Sequence, residues 1–273
     1  MTKLARFEWL ARSGYMARGA VYLLVGWFSL AAAWSGARPA DAQDALLRIL
    51  GQPFGELLLG AIAVGLVFYA LWRLAQGAFD LDDHGASAKG LVIRGALLIS
   101  AGLHIALAFF ALSLAMGRPG ASEQGDASRD WTAWLLTQPF GRWLVAAVGA
   151  AVIVAGLAHF AKAWRESYRR HLRADPDTMR IIAVVARIGL AARGVVFCLV
   201  GGFFILAAWR ADPSESGGLG KALLTLQVQP YGPWLLALTA AGLFAFGTYS
   251  VIQGIYRLID SPRVIQRLKA VSA

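Results

Sequence analysis

The sequence is short of charge. Only 15% of its 273 residues are Asp, Glu, Lys or Arg, whereas soluble domains carry about 25%. Six stretches contain none of these residues: 19–37, 57–72, 95–117, 143–161, 194–209 and 222–256. Such runs exclude an ordinary soluble domain and indicate membrane-spanning helices, which need roughly 20 apolar residues each.

Groups that carry chemistry are also scarce. The chain has one cysteine, Cys198, and four histidines, which excludes an internal disulfide and a thiolate metal site. The sequence contains no phosphate-binding loop, zinc-protease helix, nucleophile elbow or pair of membrane carboxylates. We predict that the protein is not an enzyme, and we nominate no catalytic residue, cofactor or metal site.

The apolar runs predict an all-α, polytopic membrane bundle of six transmembrane helices. The two runs of 16 residues, 57–72 and 194–209, reach spanning length if flanking charged side chains snorkel to the interface. The last run exceeds one span, but Gln-Pro-Tyr-Gly-Pro at 229–233 interrupts it. The predicted helices cover about 15–35, 55–77, 91–114, 141–164, 187–209 and 232–257.

One pattern occurs three times along the chain: an Arg-Gly pair opens an apolar run, and a Gln-Pro-aromatic-Gly turn opens the next. The pairs are Arg18-Gly19, Arg94-Gly95 and Arg193-Gly194, and the turns begin at Gln52-Pro53, Gln138-Pro139 and Gln229-Pro230. We predict a single domain, residues 1–273, built of two-helix repeats at 12–80, 85–170 and 181–260. Each repeat crosses the membrane twice, so the repeats are parallel and related by a pseudo-threefold axis.

Positive charge, +10 overall, predicts the orientation. Nineteen of the 26 Lys and Arg residues lie in 1–18, 73–94, 162–193 and 257–273. We predict that the protein lies in the inner membrane. The positive-inside rule then places these segments, and both termini, on the cytoplasmic side. The basic residues flank helices, so we expect anionic membrane lipids as partners and no nucleic acid. Exposed aromatic faces would also suit a homo-oligomer or a membrane-protein partner.

Repeated small and charged residues are the candidate sites. Six glycines at a spacing of seven residues predict close helix packing, with a ligand groove as the alternative: Gly19, Gly26, Gly95, Gly102, Gly194 and Gly201. A cation at a helix N-terminus opposes the helix dipole, so each repeated arginine calls for a lipid phosphate or a carboxylate. The lipid- or carboxylate-binding candidates are Arg18, Arg94, Arg193, Asp80, Glu166 and Asp260. Plain positive-inside charge is the alternative.

The Gln-Pro turns are predicted to be structural. Each follows a short amphipathic segment, at 44–50, 130–136 and 219–226, which we expect at the outer interface. Pro stops that segment, Gly lets the chain re-enter the membrane, and Gln caps freed backbone groups. A selectivity ring of the three glutamines is the alternative.

Two histidines lie within the spans. His104 aligns with Phe28 and Phe203 of the other repeats, which favours a neutral packing histidine over a ligand for haem or another pigment. His159 aligns with Arg73 and Ser250 near the inner interface and is predicted to be a snorkelling polar residue. From a rise of about 1.5 Å per residue, the two histidines differ in depth by roughly 13 Å, which disfavours ligation of one metal.

These motifs resemble those of a bacterial six-helix, three-repeat membrane family, domain of unknown function twelve-hundred-six. The resemblance covers roughly residues 12–258 and is strongest at Ala17-Arg18-Gly19, Ala192-Arg193-Gly194 and the Gln-Pro turns. The second repeat departs from it, with Ile93 in place of the Ala before Arg-Gly. The family implies an integral membrane protein and no established activity.

The functional expectation is therefore a structural, lipid-binding or partner-binding membrane component. The alternative is a small-solute or ion pathway along the pseudo-threefold axis. Against that alternative, the helices carry few polar residues at depth, and those few are not equivalent between repeats.

Overall fold

A computed structural model of the protein describes residues 3–118 and 127–259. The elements in these ranges are α1 (Lys3–Ser35), α2 (Ala42–Leu50), α3 (Gly55–Phe79), α4 (Ala88–Ala115), α5 (Ala127–Leu136), α6 (Gly141–Trp164), α7 (Pro176–Arg210), α8 (Leu219–Gln227) and α9 (Gly232–Tyr256). Six of them, α1, α3, α4, α6, α7 and α9, are long and apolar enough to cross a membrane. The predicted all-α architecture with six spans is confirmed.

Two helices begin earlier than their apolar runs predict. α1 extends back to Lys3, and α7 begins at Pro176 rather than near 187. Asp175 accepts a hydrogen bond from the backbone N–H of Thr178 (3.0 Å), and Pro176 supplies a pre-set first turn. The cap, and not the edge of the apolar run, decides where a helix begins. Helical turns that carry charged residues therefore precede the apolar part.

The six spans form a ring that is open on one side. The first helix of each repeat packs on the second helix of the preceding repeat: α1 on α9, α4 on α3, and α7 on α6. Within the first and third repeats, α1 also packs on α3 and α7 on α9. Among the described residues α4 and α6 make no comparable contact. The threefold pattern is therefore incomplete, and we refer to this break in the ring as the α4–α6 opening.

Close contact at glycine holds the repeats to one another. A Cβ atom at Gly26 would lie 2.6 Å from the backbone nitrogen of Phe244, and one at Gly201 would lie 2.7 Å from the carbonyl oxygen of Gly149. Gly19 and Gly194 make equally close approaches. These four glycines therefore lie where neighbouring helix backbones touch, as Gly-lined faces do in lipid.

The predicted packing role is wrong for the second repeat. A Cβ atom at Gly95 or Gly102 would meet no neighbouring atom within 4 Å. The close approach of α3 to α4 uses Gly77 instead, where a Cβ would lie 2.9 Å from the Leu98 side chain and 3.0 Å from the carbonyl oxygen of Arg94. The glycine that this contact needs is on the partner helix, so the glycines of α4 are left uncovered.

A second contact explains the α4–α6 opening. Within the first repeat a Cβ at Gly65 would lie 2.3 Å from Cβ of Ala17, and within the third a Cβ at Gly242 would lie 2.3 Å from Cβ of Ala192. The second repeat has Ala151 and Ile93 at these two positions. Their added carbon atoms block an equally close approach, and Ala151 is exposed.

The Gln-Pro turns adopt one conformation in all three repeats. Phe54, Phe140 and Tyr231 have φ near +60°, and the following Gly N–H donates to the Gln carbonyl at 2.8–2.9 Å. The side chains of Gln138 and Gln229 donate to carbonyls at the ends of α5 and α8, which confirms the capping prediction for these two copies. Gln52 and Gln229 are exposed and Gln138 is half-buried, which gives no support to a selectivity ring.

The short helices differ in placement. Residues Leu46 of α2 and Leu223 of α8 are fully buried in one apolar core with residues of α1, α3, α4 and α9. The apolar faces of α2 and α8 therefore pack between the span ends, and the position of these helices at the outer interface stays a prediction. α5 keeps Trp131 and Trp134 exposed, as an interfacial helix would.

We expect Gly26→Ala to destabilise the protein and the repeat-equivalent Gly102→Ala to be neutral or stabilising. The added methyl would collide with Phe244 backbone in the first case and gain up to about 1 kcal/mol of helix propensity in the second. Thermal unfolding of both variants in detergent, followed by circular dichroism, measures the difference. Equal Tm values would contradict the packing assigned to these two glycines.

Candidate functional site

Five cationic side chains of the described chain converge inside the ring, near the end of the bundle where α3, α6 and α9 end. They are Arg18, Arg73, Lys162, Arg193 and Arg257, and we call them the basic cluster. Electrostatic interactions link Arg18 to Arg73 and Arg193, and link Lys162 to Arg18, Arg73 and Arg257. One carboxylate lies among them: Asp82 pairs with Arg257 at 3.2 Å.

Arg18 is held by neutral partners. Its side chain is only 4% exposed and donates to the hydroxyl of Tyr69, to Ser250 Oγ (2.9 Å) and to Gln253 Oε1 (2.8 Å). The guanidinium also lies over the Tyr69 ring, 4.8 Å from its centre. Its Nε atom is buried without a hydrogen-bond partner. Arg18 therefore crosses from α1 to α3 and α9 while its charge is left uncompensated.

Arg193 is held by aromatic rings. Its guanidinium lies 4.6 Å from the ring centre of Phe246, 4.9 Å from that of Phe197 and 5.2 Å from that of Tyr22. Its Nε is buried without a partner, and its side chain makes no hydrogen bond or ion pair with any of the described residues. Cation–π contacts contribute about 0.5–2 kcal/mol each, but they leave the five N–H donors of arginine unused.

A hydrogen-bond chain connects the rest of the cluster. Arg73 donates to the Tyr69 hydroxyl (2.7 Å) and to Gln76 Oε1 (3.1 Å). Gln76 in turn donates to Asp82 Oδ2 at 2.6 Å. Tyr69 thus accepts hydrogen bonds from two arginines, and the chain runs from Arg18 to the Asp82–Arg257 pair.

The two histidines of the spans, His104 and His159, lie on the helices that border the α4–α6 opening. His104 of α4 packs on Tyr69 with the rings tilted and their centres 4.6 Å apart, and His159 of α6 packs on Phe197 at 5.1 Å. Each Nδ1 lies 2.7 Å from the carbonyl oxygen four residues earlier, so Nδ1 carries a proton and donates it to that oxygen. His104 is the hydrogen-bonded aromatic packing residue that was predicted. His159 is not a snorkelling residue, because it packs inward beside Arg193.

The structure separates the three repeated arginines. Arg94 donates to the carbonyl oxygens of Gly77 (2.8 Å) and Ala78 (2.9 Å), and so caps the end of α3. Glu166 pairs with Arg169 and Arg187. Asp80 accepts hydrogen bonds from the backbone N–H groups of the loop that follows it, and Asp260 lies outside the described residues. Arg18 and Arg193 thus have hydroxyl, amide and aromatic partners in place of the predicted carboxylate clamps.

The α6–α7 connection packs against the end of α9. Leu172 and Arg257 form an isolated antiparallel bridge, and the Leu258 N–H donates to the His171 carbonyl at 3.0 Å. Burial, together with the nearby charge of Arg257, lowers the pKa of His171 to about 4. His171 is therefore neutral at pH 7 and adds no further positive charge beside the cluster.

Sequence reasoning missed Lys162 of the cluster and two glutamines that accept hydrogen bonds from cluster arginines. Gln76, Lys162 and Gln253 occupy equivalent positions, each 21 residues after the glycine of its Gln-Pro turn. A polar residue in every copy of an otherwise apolar helix is the signal that could have found them. Among the described residues no group of three His, Cys, Asp or Glu side chains could hold a metal ion.

These features define a multi-pass α-helical membrane protein built of three two-helix repeats. The family model described as Domain of Unknown Function (DUF1206) matches residues 13–80, 95–166 and 188–257, and the chain belongs to that family. It is 33% identical over 249 residues to Uncharacterized protein YxxB of Bacillus subtilis (strain 168), an alignment that covers 90% of each chain. No solved structure gives a significant match.

Removing the carboxylate of Asp82, which pairs with Arg257, should be costly. We expect Asp82→Asn to lower the free energy of unfolding by about 3–5 kcal/mol, because Arg257 is left buried and unpaired. Asp177→Asn is the control, since its ion pair with Arg180 is 80–85% exposed, and should leave Tm unchanged. Thermal unfolding in detergent measures both variants, and a wild-type Tm for Asp82→Asn would contradict the buried pair.

Proposed function

We propose that this protein is a non-enzymatic membrane component that binds a phosphate or carboxylate group in the basic cluster. We also propose that it lies in the bacterial inner membrane with both termini in the cytoplasm, which the distribution of Lys and Arg supports. The observation that carries the binding proposal is the charge balance of the cluster, where the described residues place five cations around one carboxylate.

Uncompensated charge in a membrane interior is expensive. Each buried ion loses several kcal/mol of solvation unless it is paired, and charged groups within spans mark functional sites by default. Asp82 balances Arg257. Arg18 and Arg73 have neutral hydrogen-bond partners and Arg193 has aromatic ones, which orient these cations without cancelling their charge. An anion supplies the missing balance.

Arg193 and Lys162 are the primary contacts in this proposal. The unused donors of Arg193 suit two oxygens of one phosphate or carboxylate. Lys162, on the neighbouring helix α6, is electrostatically coupled to Arg18 and Arg73 and adds a point charge. Arg18 and Arg73, held through Tyr69, act as fixed charges behind these two.

The fold around the cluster favours binding over passage. At the end of the bundle that carries the Gln-Pro turns, residues including Leu46, Leu59, Leu223 and Leu236 form a fully buried apolar core. This packing supports a site that is closed toward that end, and it lends nothing to a solute pathway along the axis.

Anion binding can be measured directly. We expect purified wild-type protein in neutral detergent to gain thermal stability from inorganic phosphate or from phosphatidylglycerol, and Arg193→Gln to weaken that binding about 10- to 100-fold. The loss follows from about 1.5–3 kcal/mol for hydrogen bonds to charged groups. Arg180→Gln removes an exposed cation from the same helix and serves as the control.

Two outcomes would overturn the proposal. One is that neither probe stabilises the wild-type protein. The other is that Arg180→Gln and Arg193→Gln weaken binding equally, because the effect would then come from net charge and not from the cluster.

Reporter fusions test the orientation. Alkaline phosphatase fused to the C-terminus is expected to be inactive, and the same enzyme inserted after Gly36, in the exposed connection between α1 and α2, is expected to be active. The positive-inside rule is the physical reason. The reverse pattern of activity would refute the proposed topology.

A further inference from the structure

We infer that the α4–α6 opening admits an anionic glycerophospholipid sideways from the bilayer, with its phosphate on the basic cluster and its acyl chains between α4 and α6. This inference rests on the proposed function, and it names the ligand class and the route of access to the same site.

The opening leads to the cluster. Both helices that border it carry a histidine that packs on an aromatic ring in contact with the cluster: His104 packs on Tyr69, the hydrogen-bond partner of Arg18 and Arg73. His159 packs on Phe197, which lies under Arg193. Lys162 of the cluster is itself on α6, three residues beyond His159. A molecule placed between α4 and α6 is therefore next to Arg193 and Lys162.

Within residues 3–118 and 127–259, the other directions are closed. α1 meets α9, and α6 meets α7, at glycines where no side chain would fit between the backbones. The core around Leu46 and Leu223 closes the bundle toward the Gln-Pro turns. Toward the opposite end, the buried Asp82–Arg257 pair ties the loop after α3 to the end of α9. The side between α4 and α6 is what is left.

The chemistry of the opening fits a lipid better than a soluble anion. Exposed side chains on α4 and α6 are largely apolar, for example Leu103, Val154 and Leu157 at 55–66% exposure. The cluster behind them is cationic. An apolar slot that leads to a cationic pocket is complementary to a molecule with hydrocarbon tails and an anionic head.

The sequence specifies this opening. The first and third repeats close the equivalent position with an Ala–Gly contact, Ala17 with Gly65 and Ala192 with Gly242. Only the second repeat replaces both residues, with Ile93 and Ala151, and leaves Gly95 and Gly102 uncovered. The same repeat places a histidine where the others have phenylalanine.

The test closes the opening without touching the cluster. Ile93→Ala combined with Ala151→Gly restores the residues of the other repeats. In native mass spectrometry, we expect this variant to retain about one tenth of the phosphatidylglycerol that the wild-type protein retains, or less. The matched control, Ile99→Ala with Ala158→Gly, makes the same changes at exposed positions of the same helices and should retain lipid as wild type does. Retention by the closing variant equal to wild type would overturn the inference.

A second measurement does not depend on how the closing variant folds. A photoreactive benzoylphenylalanine at position 93 should cross-link phosphatidylglycerol acyl chains, and Arg193→Gln should abolish that cross-link. The same probe at Ile188, an exposed position on α7, should cross-link bulk lipid whether or not Arg193 is present. A cross-link at 93 that survives Arg193→Gln would refute the lateral route.

The two proposals can fail separately. If inorganic phosphate binds through Arg193 but phosphatidylglycerol does not, the proposed anion site stands and the lipid inference falls. If neither binds, both fall.

Discussion

Helix backbones in contact at glycine are the constraint on which this bundle depends. Lipid tails are as apolar as the side chains, so spans associate through close packing and not through the hydrophobic effect. At Gly26, Gly201 and their equivalents the neighbouring backbone occupies the space of a side chain. The same requirement that joins five pairs of helices leaves α4 and α6 apart, because Ile93 and Ala151 take up the space that contact would need.

This single failure of the pattern turns a threefold repeat into a protein with one candidate site. Three copies of an Arg-Gly pair could have given three equivalent inner sites. Arg94 instead caps α3, while Arg18 and Arg193 turn into the interior and meet Arg73, Lys162 and Arg257. Asymmetry between the repeats, and not the repeat itself, creates the basic cluster and the side on which it is open.

The cluster is assembled from partners that hold cations without neutralising them. The Tyr69 hydroxyl accepts from two arginines, and the Phe246 ring lies against Arg18 and Arg193. Such partners keep several guanidinium groups rigid at a small distance from one another. A rigid, positively charged site costs little reorganisation when an anion binds, which is the physical meaning of preorganisation. The proposed lipid site follows from that arrangement.

Much of the architecture was accessible from the sequence. The charge-free runs predict six spans, and the three Gln-Pro turns predict which spans form a repeat. Both signals can be read from short stretches of sequence. The sequence could not show that the glycines of α4 are uncovered, since contact at Gly26 and its absence at Gly102 depend on which helix lies opposite. Nor could it separate a capping Arg94 from a clustered Arg193, because each occupies the same position in its repeat.

The sequence by itself determined that the helices lie in a membrane, how many spans there are, that they form three parallel repeats, and which family the chain belongs to. All of these depend on composition and short motifs. Only the tertiary structure decided that the ring is open between α4 and α6 and that Arg73, Lys162 and Arg257 join Arg18 and Arg193. Those residues come from five segments that are far apart in the chain. Packing brings them together, and packing depends on the shapes of neighbouring helices, which no single stretch of sequence contains.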